Sequence, residues 1–412
     1  MPSAERPIHA RLHLQEGPAE ISVQSGAVET GSPEILALPE LQRDESEHGY
    51  RLILRRSPLG APVAEALLLP AARASLLRGA GFAEASLEHA ALLANVRVHD
   101  GADDTLGALL YCAGRRARIA GANMLLAAVG EQPGAASQLL GLSRVPRSAP
   151  PGYVFAAQRL DIAMHRAYRA MVEASHAPDP QLLADEVGET IRSWVAGAPQ
   201  WPFFVLLHER RLAREQYVYL LSNLYQFVRH TTRLIGRAIS HSVDPVLRKH
   251  WISHLNGEIN HEVIIERDLA HMGEDVEFVM RHMPPSSRTQ EFMAIQESMI
   301  AYYEDPVLFM ASPLAAEAIT AFLDQRFIDD LHACAQRWGV AEPRSAMKFL
   351  TSHMSTDGGE DGHWKMSLDA LPRLIRDEST LAMFLTTNAS SRRAMEGVWS
   401  STVGDTAVFS DA

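Results

Sequence analysis

Apolar positions along the first part of the chain fall in short continuous runs, and along the rest they recur every three or four residues. The runs "GYRLILRR" (49–56) and "HAALLANVRV" (89–98) predict strands, and "NMLLAAVG" (123–130) predicts a short buried strand. Between them, "TLGALLYCAGRRARIAG" (105–121) has helical spacing, and "GAASQLLGL" (134–142) predicts a helix that stops at a glycine. Strand, helix, strand, helix in that order predicts an α/β layer. The character changes near residue 185. Val218, Leu221, Leu224, Tyr225 and Val228 mark one face of a long helix over 214–239. Similar patterns run through 246–272, 289–304, 313–338, 342–356 and 367–387, punctuated by stretches such as "MPPSS" and "RWGVAEP". No period-two alternation interrupts them, so this part predicts a helical bundle. The fold class expected is α+β in two domains. A 1–44 extension precedes an α/β domain at 45–184, then a helical domain at 185–398 and a tail at 399–412.

Charge and composition narrow the function. A net charge of −12 leaves no basic stretch to neutralise phosphates, which argues against nucleic acid. Two cysteines, Cys112 and Cys334, are too few for a disulfide framework or a cysteine zinc site. The most apolar window, "LGALLYCAGRRARIAGANMLLAAVG", is split by three arginines and does not read as a membrane span. The opening residues "MPSAERPIHARLHLQ" lack the apolar core of a signal peptide, so a cytoplasmic protein is expected.

The chemistry is concentrated in the helical half. Glu258 and His261 are three residues apart and would share one helical face. Glu317 sits among Leu314, Ala318, Ala321 and Phe322, in a core-facing stripe. An ionised carboxylate there must be paired, hydrogen-bonded or bound to metal. Arg326 is the alternative partner. His353 and Asp357, four apart, share a face at the start of "HMSTDGGEDGHW". Three helices that each aim a carboxylate or imidazole inward are how di-iron carboxylate bundles are built. Such donors with open positions suit iron and dioxygen better than a closed zinc site. Against this stands the simpler reading of "HMSTDGGEDGHW" as a solvated turn. The methionines Met280, Met283, Met293 and Met299 are expected as core fillers.

These residues carry two resemblances. Over roughly 190–390 the chain resembles the heme-oxygenase-like di-iron oxidases, relatives of the TenA and coenzyme-PQQ-synthesis folds. Their pattern is a Glu and a His, a Glu some fifty to sixty residues on, then His-x-x-x-Asp-x-x-His. Glu258, His261, Glu317, His353 and Asp357 match it. The last histidine would fall at 360, where the sequence has Glu360, and the next histidine is His363. Glu360 replaces it if the helix is regular. His363 replaces it if Gly358, Gly359 and Gly362 break the helix, and that reading is preferred. The resemblance implies two Fe(II) ions, O2 as co-substrate, and a small amino-acid-like or carboxylate substrate. The reaction implied is N-oxygenation, desaturation or oxidative C–C cleavage, with an electron donor and a homodimer. Tyr225, Arg229 and His230 are the candidate pocket residues. The alternatives are a metal-free TenA-like enzyme, or a non-enzymatic partner protein in a biosynthetic assembly.

The second resemblance covers roughly 45–160 and is to the GNAT acyltransferases. Their glycine-rich pyrophosphate loop is matched by "ADDTLG" (102–107), which keeps only Gly107 and carries two acids. A non-catalytic docking or dimerisation domain is implied.

Overall fold

The computed structural model describes residues 9–14, 17–25, 50–55, 62–98, 103–130, 135–147, 149, 152–173, 179–358 and 362–407. The chain divides into two units, Met1–Thr190 with Asp377–Ser379, and Ile191–Arg376 with Thr380–Ala412.

The first unit holds an eight-stranded mixed sheet. Its strands are β1 (His9–Leu14), β2 (Gly17–Ser25), β3 (Tyr50–Arg55), β4 (Pro62–Pro70), β5 (Ala90–Val98), β6 (Met124–Gly130), β7 (Ser143–Arg144) and β8 (Tyr153–Arg159). They lie in the order β1-β2-β3-β4-β5-β6-β8-β7. Only β5 and β6 pair in parallel, since the helix between them returns the chain to the same end of the sheet. The continuous apolar run of β5 reflects its central place, with Leu92 and Leu93 both fully buried. Helices α1 (Ser75–Gly79), α2 (Glu84–Leu87), α3 (Asp103–Ile119), α4 (Ala135–Leu140), α5 (Leu160–Glu173) and α6 (Pro180–Val195) complete the set, the last running five residues past Thr190.

Three expectations change here. Part of the segment read as an N-terminal extension supplies β1 and β2, which pair with each other, and β2 pairs with β3. Strand β8 goes unanticipated because its apolar run "YVFAA" is short, yet it closes the sheet against β6. Where the acyltransferase resemblance places a phosphate loop, α3 has already begun at Asp103. Thr105 and Leu106 are buried within that helix, and Ala102 lies outside the described residues.

The second unit is helical: α7 (Pro202–His208), α8 (Arg214–His241), α9 (Pro245–Glu258), α10 (His261–His271), α11 (Val276–His282), α12 (Ser287–Glu297), α13 (Pro306–Ala321), α14 (Gln325–Arg337), α15 (Lys348–Gly358), α16 (His363–Leu374) and α17 (Glu378–Gly404), whose first residues, Glu378 and Ser379, belong to the first unit. One turn of π-helix, Ser298–Tyr302, follows α12. Two site helices start on the same local device. Asp244 accepts hydrogen bonds from the amides of Val246 and Leu247, and Asp305 accepts from Val307 and Leu308. In each case proline occupies the first helical position, where no amide is needed. Asp268 of α10 accepts from the amides of Lys348 and Phe349 and so caps α15 across the bundle.

The predicted helix over 246–272 is two helices. Ile259 is extended and Asn260 adopts φ 68°, a left-handed turn that asparagine tolerates. The predicted 313–338 helix likewise breaks before Gln325, where Asp324 caps α14. The last helix runs to Gly404, past the boundary read at 398. No single described helix is long and apolar enough to cross a membrane.

Candidate metal centre

Glu258 ends α9 and His261 opens α10, so the bend at Asn260, not a shared helical face, brings the two together. Glu258 Oε2 lies 2.8 Å from His261 Nδ1. Its other oxygen, Oε1, lies 3.4 Å from His254 Nε2 and 3.5 Å from His363 Nδ1. One carboxylate therefore faces two groups of donors. The first group is His254, Glu258, Glu317 and His363, and the second is Glu258, His261 and His353.

His254 was not among the residues anticipated. It stands four residues before Glu258, on the same face of α9, in "HLNGEINH". That His-x-x-x-Glu spacing was there to be read. Its Nε2 is 2.9 Å from Glu317 Oε1, so Glu317 meets an imidazole and not Arg326, which lies 3.5 Å from Asp330. His363 opens α16, beyond the end of α15 at Gly358, and the structure brings it into the cluster. Its ring stacks on that of His254 with centroids 4.5 Å apart. Gly257 makes room for it: a Cβ at 257 would collide with His363 Nε2 and lie 2.5 Å from its Cε1. Glu360 lies outside the described residues.

Two further contacts fix orientation. His353 Nδ1 donates to the Phe349 carbonyl at 2.8 Å. A carbonyl only accepts, so Nδ1 carries the proton and Nε2 is free. That free nitrogen sits 3.1 Å from His261 Nδ1. Thr320 donates to Asp357 Oδ2 at 2.5 Å, leaving Oδ1 aimed at His363, 3.4 Å from its Nδ1.

No lysine or arginine balances the acids of this cluster. Glu317 and Asp357 are buried, and neither lysine nor arginine lines the pocket that Glu258, Glu317 and Asp357 share. Glu317 Oε2, Asp357 Oδ1 and His363 Nδ1 are sealed from solvent and make no hydrogen bond among the described residues. Buried acids of this kind must be paired or coordinated. The imidazoles respond to that need. Burial alone would lower the pKa of His254, but Glu317 and Glu258 hold it up at about 10. Burial also works against the charge on His363, and Asp357 reverses it. Burial raises Glu258, but His254 and His261 outweigh this and hold it well below the usual carboxylate range. His353 is lowered, chiefly by burial. Three carboxylates and four imidazoles with unsatisfied atoms suit metal ions of the iron, manganese or zinc type.

The cluster opens into a pocket of about 80 Å³. Leu224, Phe227, Val228 and Thr231 of α8 line it, together with residues of α12, α13, α15 and α17. Tyr225, Arg229 and His230 are not in the lining. They lie on other faces of the same helix: Tyr225 is buried, while Arg229 is exposed and stacks over the Tyr225 ring at 5.6 Å. Met280 and Met293 pack against the core, as expected of fillers.

No protein-family model matches the chain, and no curated protein does. Among solved structures it is similar to a domain of unknown function with a heme oxygenase-like fold from Shewanella denitrificans OS217. That pair is 17% identical, covers 56% of this chain and 94% of the other, and has a TM-score of 0.45. It is similar to a TenA homolog from Pseudomonas syringae pv. tomato str. DC3000, at 13% identity over 54% of this chain and 93% of that one, TM-score 0.44. It is also similar to a CADD-like protein of unknown function from Nostoc punctiforme PCC 73102, at 12% identity, 54% and 98% coverage, TM-score 0.41. At such identities the chemistry has to be read from the cluster's own residues.

Proposed function

We propose that the second unit is an O2-dependent non-heme di-iron oxidoreductase. The observation that carries this reading is the convergence of buried carboxylates and imidazoles on two adjoining centres with no lysine or arginine in the lining. His254, Glu317 and His363, with Asp357 beside it, would hold one ion, and His261 and His353 the other. Glu258 would bridge them. Two ferrous ions bound there supply the capacity to bind and reduce O2. The protein's own part is positional. Phe349 sets the tautomer of His353, Thr320 orients Asp357, and the apolar wall excludes water.

With no arginine or lysine in the lining, a substrate carboxylate or amine would find its partner at the metal centre. This favours a small amino-acid-like or carboxylate molecule with an apolar body, undergoing N-oxygenation, desaturation or oxidative C–C cleavage. N-oxygenation and desaturation each leave two electrons to be supplied to O2, so an electron donor is part of the proposal. A TenA-like alternative built on a cysteine nucleophile is not favoured. Cys334 is fully buried outside the pocket lining, and burial pushes its thiol up. For the first unit we propose a non-catalytic docking role, supported by buried side chains where a phosphate loop would be needed. Calorimetry with acetyl-coenzyme A is expected to show no binding, and micromolar affinity would overturn it.

The test of the main reading is anaerobic loading with Fe(II), followed by metal analysis and O2 uptake in the presence of candidate substrates. Two irons per chain are expected, falling in His261→Ala and Glu317→Ala while the fold is retained. Full occupancy in either variant would sink the assignment.

A further inference from the structure

The donor cluster accounts for the charged groups of the pocket, and most of the remaining wall is apolar. Two polar side chains are left over, Thr231 of α8 and Gln296 of α12. Gln296 is 5% exposed, and its carboxamide has no hydrogen-bond partner among the described residues. It comes from a helix that carries none of the donors. Its neighbour Glu297 points elsewhere and ties α12 to α8, at 2.5 Å from Arg233 and 2.9 Å from Arg237. The far end of α12 is fixed by Ser286, which accepts from the Thr289 amide. Gln296 is thus a neutral amide on an anchored helix, lining an apolar chamber with its hydrogen-bonding capacity unspent.

A carboxamide offers two N–H donors and an accepting oxygen. They face the pocket, where water or complementary groups on a ligand can meet them, and a bound ligand that displaces that water without replacing its hydrogen bonds loses affinity. A second charged end on the ligand is disfavoured, because no lining side chain of Lys or Arg would meet it. We propose that Gln296 is a specificity-determining residue that hydrogen-bonds a neutral amide or hydroxyl on the substrate, on the part remote from its metal-binding head. This rests on the reading of the donor cluster as a metal centre, and it names the substrate class of that same site: an apolar chain with a carboxylate or amine head and an uncharged polar group further along.

The test uses the full-length protein loaded with Zn(II), which binds without turnover. Calorimetry compares a medium-chain carboxylate with its matched counterpart bearing a terminal carboxamide. The protein should prefer the carboxamide by about tenfold or more, as expected when a buried polar group is paired in one ligand and orphaned in the other. Gln296→Leu and Gln296→Met should each lose that preference while retaining affinity for the unsubstituted chain. Equal or tighter binding of the unsubstituted chain by the parent protein would overturn the proposal. So would an undiminished preference in folded variants, or no binding of either ligand. Metal analysis of the same samples keeps the two readings apart. If no zinc is taken up, the metal centre fails, and the same ligand pair titrated into metal-free protein still decides the role of Gln296.

Discussion

Both units of this chain bury acids, and they balance them differently. In the first unit Glu186 and Glu378 are almost wholly buried. Arg118 binds both, donating to Glu186 Oε1 at 2.5 Å and to Glu378 Oε1 at 2.7 Å, and Tyr111 donates to Glu378 at 2.7 Å. Arg115 lies 3.3 Å from Glu186. In return, the two carboxylates raise the pKa of Arg118 against the effect of its own burial. In the second unit Glu258, Glu317 and Asp357 meet imidazoles and a hydroxyl, and no guanidinium. Arginine is used elsewhere in that unit, since Arg210 holds the buried Asp330 at 3.0 Å. Guanidinium groups balance the charge of such acids permanently, because they do not give up their protons. An acid cluster balanced only by groups that can lose their protons is open to exchange of that proton for a metal ion.

The sharpest way to break this comparison is Glu258→Ala, which removes the carboxylate facing both centres. Iron per chain should fall from two to nearly none, as read by elemental analysis. Retention of two irons would show that the centres do not share it. Next is Arg118→Met. It should cost the first unit about 3–5 kcal/mol, because two buried carboxylates lose their counter-ion, while the iron content of the folded protein stays at two. Urea unfolding followed by metal analysis reads both quantities, and a loss below about 1 kcal/mol would mean water or a proton compensates cheaply. The finest probe is Gly257→Ala. The helix itself gains up to about 1 kcal/mol from alanine, yet the added methyl group displaces the His363 ring. Thermal stability of the metal-free protein should hold or drop slightly, with iron affinity reduced at the centre containing His363. Unchanged affinity would remove His363 from the donor set.

How much of this was legible in the sequence differs between the two units. The period-three-to-four spacing of Leu221, Leu224 and Val228 marks the buried face of α8. The matched spacing of Glu258, Glu317 and His353 singles out residues that the structure brings near one another. The bend at Asn260 was hidden, because it depends on one residue adopting φ 68° within a continuous helical pattern. His254 lies outside the Glu-x-x-His spacing, although a histidine one turn before Glu258 follows the same helical logic. Tyr225, Arg229 and His230 were selected for their chemistry, whereas the face that meets the pocket is set by neighbouring helices, which no local pattern encodes. Strand β2 joins the sheet through β3, more than twenty residues further on, so the place of the β1–β2 pair depends on a non-local pairing.

The two oxygens of Glu258 have a thermodynamic consequence. A ligand held in common makes occupancy of the centres a linked equilibrium, with one coupling free energy that acts equally in both directions. On the proposed reading, a first cation would orient the carboxylate for the second and displace protons from the imidazoles. It also neutralises charge on which the second would otherwise draw. Whichever effect is larger sets the sign of the cooperativity. Titration of the metal-free protein is therefore a curve for the pair, and an affinity assigned to either centre alone has no separate meaning.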